Sequence, residues 1–220
     1  MKNLFLRKVL SLGAFLFVIL FPECEKFPDL PEVGECNNYL IKSGQHYSEG
    51  FNPEEFQILH LQRYGLKVSF TFTVDGSMFY NPDAEFVNGH NKIRGIVCGN
   101  HGEILAKNIL KYSARITWRC PSENQIDVGC IVHLLDISGH IQKILLSDVK
   151  IGDEIFCIVE DLNEEGFYFY VQNLNTFEFA EITISKQKTP NAKVHALLES
   201  PYFGGHETAP HDINIKICSN

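Results

Sequence analysis

From Leu66 to Val74 the chain alternates apolar and polar residues without a break. A strand turns successive side chains to opposite faces. Leu66, Val68, Phe70, Phe72 and Val74 therefore line one face, and Lys67, Ser69, Thr71 and Thr73 the other. The same period recurs where Tyr112, Ala114, Ile116 and Trp118 alternate with Ser113, Arg115, Thr117 and Arg119. It returns near the C-terminus, where Ile213, Ile215 and Ile217 alternate with Asn214, Lys216 and Cys218. Apolar runs at 131–137, 141–146 and 155–160 add shorter strands, and Ser138-Gly139 between the first two marks a hairpin. Residues 167–171, Phe-Tyr-Phe-Tyr-Val, are apolar on both faces and read as a central strand. One short helix is expected at 52–62, with Asn52 as N-cap and Pro53 in the first turn. The 17 phenylalanines fit pleated, half-buried surfaces. Many strands separated by turns, with no repeat, predict an all-β antiparallel sandwich over 51–220.

The N-terminus reads differently. Lys2, Arg7 and Lys8 precede an apolar run at 9–21 that only Ser11 and Gly13 interrupt. A basic start before a short apolar core is the layout of a signal peptide, here 1–23. The run is shorter than the roughly 20 residues a spanning helix needs. Export is expected, to the cell envelope or the outside. Cys24 follows the apolar run directly, a position that resembles the lipidated cysteine of bacterial lipoproteins, although Pro22 and Glu23 stand where small residues are usual. A lipid on Cys24 would be a membrane tether; without it the protein is soluble and secreted. Residues 24–50, punctuated by Pro28 and Pro31, read as an irregular tether.

The seven cysteines are at 24, 36, 98, 120, 130, 157 and 218. Setting Cys24 aside leaves an even number, as an exported disulfide framework requires. Cys120 and Cys130 flank a polar stretch and are the leading disulfide candidates. A bridge from Cys36 to Cys218 would join the two ends of the domain. Cys157, inside an apolar run, reads as a small buried hydrophobe. No C-x-x-C pair points to a zinc ribbon or a redox motif.

The segment 149–156, Val-Lys-Ile-Gly-Asp-Glu-Ile-Phe, runs through a charged turn into the aromatic strand 167–171. With the loop 200–205 and the closing strand to Ile217, this order resembles the concanavalin A-like lectin and glucanase superfamily of jelly-roll sandwiches. The glucanases of that superfamily carry a Glu-x-Asp-x-(x)-Glu strand that supplies paired carboxylates. This chain has none, and the resemblance implies a binding domain rather than a glycosidase. Alginate-lyase-type jelly rolls instead use an Arg-x-Glu-x-Arg strand, a Gln-Ile-His strand and a Tyr-Phe-Lys-Ala-Gly segment. Arg115 and Arg119 have the first spacing, with Thr117 in place of the Glu. His133 is the nearest match to the second. Tyr202-Phe203 matches the start of the third, with Gly204 in place of the Lys.

The expected ligand is therefore a glycan or another extracellular molecule, bound without a cofactor by Arg115, Arg119, His133, Tyr168 and Tyr170. The two tyrosines qualify because Phe167, Phe169 and Val171 already fill one strand face, which frees the tyrosine rings to stack on a sugar. An alternative is a uronate lyase with a degenerate motif set. It requires Arg115, Arg119 and His133 to line one groove. A structural or protein-interaction role is the third reading. His206, Glu207, His211 and Asp212 lie within seven residues and offer imidazole and carboxylate groups to a divalent metal. A formal charge of −8 and the lack of arginine-rich runs exclude nucleic acid as the main partner.

Overall fold

The computed structural model describes residues 34–50, 66–81, 89–99, 113–122, 124–133, 139–163, 165–185, 194–204 and 207–220. The expected signal segment, Cys24 and the helix at 52–62 lie outside them. Among the described residues, eleven strands form two antiparallel sheets. The first sheet has six: β1 (Cys36–Ile41), β2 (Lys67–Thr73), β7 (Glu154–Asp161), β8 (Phe167–Asn173), β9 (Phe179–Ile184) and β11 (Ile213–Ser219), in the order β1-β11-β2-β7-β8-β9. The second has five: β3 (Asn91–Gly99), β4 (Ser113–Ser122), β5 (Gln125–His133), β6 (His140–Val149) and β10 (Val194–Leu198), in the order β10-β3-β4-β5-β6.

The alternation seen in the sequence is the packing. Val68, Phe70 and Phe72 of β2 meet Ile155, Cys157 and Val159 of β7, Phe169 and Val171 of β8, and Ile213, Ile215 and Ile217 of β11 in one core. Ala114, Ile116 and Trp118 of β4 and Ile126, Val128 and Val132 of β5 close it from the other sheet. The aromatic run at 167–171 is central as expected, with β7 and β9 on its two sides. The architecture is the jelly-roll-like sandwich that the resemblance implied.

Two expectations need correction. The range read as a tether, 24–50, contains β1, which pairs residue for residue with β11 and buries Ile41 completely. Its alternation is weak because it is an edge strand with Asn37 and Asn38 facing water. Cys120 and Cys130 do not form a disulfide; both are free and buried. The residue opposite Cys130 is Ile116, four positions from Cys120 along β4. At about 3.4 Å per residue that offset is about 13 Å, against a Cα separation of about 4.4–6.8 Å in disulfides. The stretch read as a loop between them is a tight hairpin, with β4 ending at Ser122 and β5 starting at Gln125. The bridge that does form is Cys36–Cys218, between directly opposed residues of β1 and β11. Cys157 is a buried free thiol, as its apolar setting predicts.

Candidate functional site

Since Ala114, Ile116 and Trp118 of β4 point into the core, Ser113, Arg115, Thr117 and Arg119 point away from it. The ladder extends this outer face sideways. Lys92 lies opposite Thr117, Gly95 opposite Arg115, Ile131 opposite Arg115 and Asp127 opposite Arg119. His133 is paired with His140 of β6. The face also continues past β3, because Tyr202 bridges both Lys92 and Tyr47. Lys92, Arg115, Arg119, His133, His140, Tyr202 and Tyr47 thus belong to one sheet surface.

Arg115 and Lys92 set its electrostatics. Arg115 is 3% exposed and Lys92 7%. Arg115 Nη2 donates to the Ser200 carbonyl at 2.8 Å, and Lys92 Nζ donates to the Gly204 carbonyl at 2.9 Å. Arg115 Nε, though buried, has no hydrogen-bond partner. Among the described residues neither cation has a carboxylate within ion-pair distance. Arg119 differs: it pairs with Asp127 at 3.0 Å, and Asp127 also accepts from Gln125 Nε2 and the Asp148 amide. The face therefore presents two buried positive charges without a counter-anion beside one that is neutralised. Desolvation pushes the Lys92 ammonium down to about 8, and the neighbouring Arg115 charge pushes the same way.

Tyr202 flanks the cations. Its ring stacks on His46 at 5.4 Å and meets Tyr47 edge-on at 5.0 Å, while Lys92 Nζ lies 5.2 Å from its centre. Burial raises the Tyr202 hydroxyl, and the Arg115 charge opposes that rise. Gly204 is needed where it stands. Its φ is +71°, and a Cβ there would lie 2.0 Å from the Glu207 carbonyl oxygen, so a side chain would shift the Gly204 backbone whose own carbonyl accepts from Lys92.

Two histidines complete the face. His90 Nδ1 and Thr117 Oγ1 are 2.8 Å apart, and His133 Nδ1 and Ser113 Oγ are 3.1 Å apart. Burial lowers His90 to about 4, helped by Arg119, Lys92 and His140 and opposed by Asp127. Burial lowers His133 to about 3, helped by Lys92, Arg115 and His140. Both are neutral at pH 7, which spares the face further positive charge. The linkage has a definite sign. From pH 6.5 down to 5 the unfolded chain takes up protons at these histidines and the folded chain does not. Stability is full above pH 6.5 and falls with acid, by up to about 1.4 kcal/mol per pH unit for each histidine. Urea midpoints measured between pH 7 and 5 should fall, and His90→Gln should flatten the slope; a slope unchanged by His90→Gln would refute the assignment.

The expected ligand residues do not all converge. Arg115, Arg119 and His133 share the face above. Tyr168 and Tyr170 point outward, as expected, but from β8 in the other sheet. Tyr170 is buried there, edge-on to Phe156 and stacked with Phe179, and its hydroxyl donates to Gln172 Oε1. The Tyr168 hydroxyl donates to Glu181 Oε2. Of the residues considered for a metal, His211 Nε2 is 2.8 Å from the Ser77 carbonyl, and Asp212 accepts from the Ser43 amide and pairs with Lys42. Glu207 is already partnered, and His206 lies outside the described residues. Among the described residues no three His, Cys, Asp or Glu side chains group as a metal site. Sequence reasoning missed Lys92 and Tyr47. Lys92 stands in Asn91-Lys92-Ile93-Arg94, where basic residues at alternate positions were a strand signal; nothing local marked Tyr47.

No family model and no curated protein matches the chain. Solved structures do. The alginate lyase Aly36B aligns with a TM-score of 0.51 at 9% identity, over 83% of this chain and 78% of that one. Scytalido-glutamic peptidase aligns at 0.38 and 9% identity, over 84% of this chain and 64% of its own length. The galactose-complexed lectin UEA-II aligns at 0.39 and 9% identity, over 86% of this chain and all of its own length. The likeness to Aly36B is one of fold: the chain is a jelly-roll-like antiparallel β-sandwich.

Proposed function

We propose that this is an exported domain that binds an acidic polysaccharide, a uronate chain, on the outer face of the five-stranded sheet. The observation that carries the reading is Arg115: a buried guanidinium with an unpartnered Nε and no carboxylate beside it among the described residues. A buried unpaired charge costs several kcal/mol, and a ligand carboxylate would offset that cost. Guanidinium matches carboxylate in shape and hydrogen-bond geometry. Lys92 supplies a second positive point, and the half-buried Tyr47, set by its contact with Tyr202, supplies a ring for the apolar side of a sugar. The fold likeness to an alginate lyase supports a uronate as the acidic sugar. The Cys36–Cys218 bridge supports an oxidising compartment, hence export, with or without a lipid on Cys24.

Catalysis is the second reading, and one observation favours it: Arg115, Arg119 and His133 do line one face. In a β-elimination a base removes the proton on C5 of the uronate, the C4–O bond breaks as a C4=C5 double bond forms, and an acid protonates the departing oxygen. Neutral His133 and Tyr202 are the groups for those proton transfers, and Arg115 would hold the carboxylate that stabilises the carbanion.

Calorimetric titration with oligomannuronate, oligoglucuronate and a neutral glucan tests the binding. Saturable binding of an acidic oligomer, weakened by salt, is expected, with none of the glucan; equal binding of the neutral glucan would overturn the proposal. Ultraviolet absorbance from the new double bond distinguishes a lyase from a binder.

A further inference from the structure

The large apolar side chains that stand exposed among the described residues are Ile151 (66%), Phe177 (69%) and Phe179 (47%). All three lie at one end of the six-stranded sheet. Ile151 is in the turn before β7, Phe177 is in the turn between β8 and β9, and Phe179 opens β9. Phe177 and Phe179 sit together where β8 turns into β9; Ile151 is on the same end of the sheet, with its Cδ1 3.7 Å from where a Cβ on Gly76 would stand.

The two turns are braced against each other. Asp153 Oδ2 accepts from Asn173 Nδ2 and from the Lys150 amide. Asn175 Oδ1 accepts from the Glu154 amide, and Asn173 Oδ1 accepts from the amides of Asn175 and Thr176. The Gly152 amide donates to the Val74 carbonyl. Flexible turns would let the apolar side chains fold back on the sheet; this network holds them out. Phe177 is also kept at φ +65°, a left-handed conformation that a bulky residue resists and that glycine or asparagine adopts readily. A strained aromatic that buries little of itself contributes nothing visible to folding. Strain of that kind is found at functional positions.

The surroundings define what fits. Asp75, Glu154 and Glu178 are exposed around the two turns; Lys150 is already paired with Asp148 at 2.6 Å, and Lys216 stands two strands from Glu154 in the same row. Acidic groups around an apolar centre repel an anionic membrane and a second copy of the same acidic end. They match an apolar pocket rimmed by lysine or arginine.

We infer that the end of the sandwich carrying Ile151, Phe177 and Phe179 is a docking surface for a protein partner that offers an apolar pocket with a basic rim. Phe177 is its anchor, and the strain at its backbone is relieved nowhere in the free domain.

The test uses Phe177→Gly in the full chain. The substitution removes the ring and relaxes the backbone, so its melting temperature should equal or exceed that of the parent by a few degrees. A random-peptide phage library is then selected on the parent protein after depletion on Phe177→Gly. Enriched peptides should combine aromatic or aliphatic residues with Lys or Arg, bind Phe177→Gly at least tenfold more weakly, and lose affinity as salt rises. Three results overturn the inference: a lower melting temperature for Phe177→Gly, which would make Phe177 a packing residue; no peptide that distinguishes the two proteins; or enriched peptides without basic residues. None of these depends on uronate binding, so the two proposals fail separately.

Discussion

Replacing Arg115 with methionine is expected to stabilise the ligand-free domain while abolishing its binding of acidic oligosaccharides. Arg115 is 3% exposed, donates among the described residues to one neutral carbonyl, and leaves Nε unpaired. Methionine has a similar length and no polar atom to bury, and the neighbouring Ile131 and Leu198 are apolar. Exchanging a buried charge for an apolar side chain of similar volume typically adds about 1–4 kcal/mol. The gain has a second source. The Arg115 charge helps to depress Lys92, and its removal lets Lys92 hold its proton more easily. Arg119→Met on the same strand face should act in the opposite direction. It would strand Asp127, whose side chain is 4% exposed, without its ionic partner; breaking a buried pair in this way costs about 3–5 kcal/mol. Urea denaturation of the two variants reads the signs directly. If Arg115→Met lowers stability, Arg115 is satisfied by the fold and the argument for an anionic ligand loses its basis.

The contrast between Arg115 and Arg119 also shows what the sequence can disclose. Their spacing alone places them on one strand face, because period two is a local property of the backbone. Trp118 and Ile116 declare the core face in the same way. Which arginine is neutralised is not local. It depends on Asp127, which a hairpin brings opposite Arg119, and on Ser200, which arrives from a distant loop to meet Arg115. Lys92 and Tyr47 were hidden for the same reason: their roles come from Tyr202, 110 and 155 positions away along the chain, pairing with both. Tyr168 and Tyr170 show the converse limit. Alternation correctly sent their side chains outward, but it does not say which of two sheets they leave or that Phe156 and Phe179 cover one of the rings. The cysteines carry the same lesson. Short separation favoured Cys120 with Cys130, yet strand register set them far apart and brought together residues 182 positions apart in sequence.

Removing that bridge is the second large effect expected. Cys36→Ala with Cys218→Ala opens a loop of 182 residues, for which the chain-entropy model gives about 5 kcal/mol and native disulfides in secreted domains typically give about 2–5 kcal/mol. Native domains hold only about 5–15 kcal/mol in total, so the loss is a large share of it. For a domain of this size the melting temperature should fall by about 10 °C. The loss should be uneven. β1 is an edge strand whose ladder partner in the sheet is β11, with a short bridge from Ile41 to Ser48, and Ile41 is its fully buried anchor. Amide exchange should therefore accelerate first in β1, before the central strands β7 and β8. The free thiols among the described residues supply the control. Burial pushes Cys120 up to about 11 and Cys130 up to about 12, and raises Cys157 as well. Since the thiolate is the reacting form, all three should resist alkylation until the domain unfolds. Cys120→Ala with Cys130→Ala should leave reductant sensitivity unchanged, whereas the 36–218 variant should lose it. A reductant that leaves the melting temperature of the parent protein untouched would show that β1 is secured by its ladder and Ile41 alone, and that the bridge adds nothing to the closure of the fold.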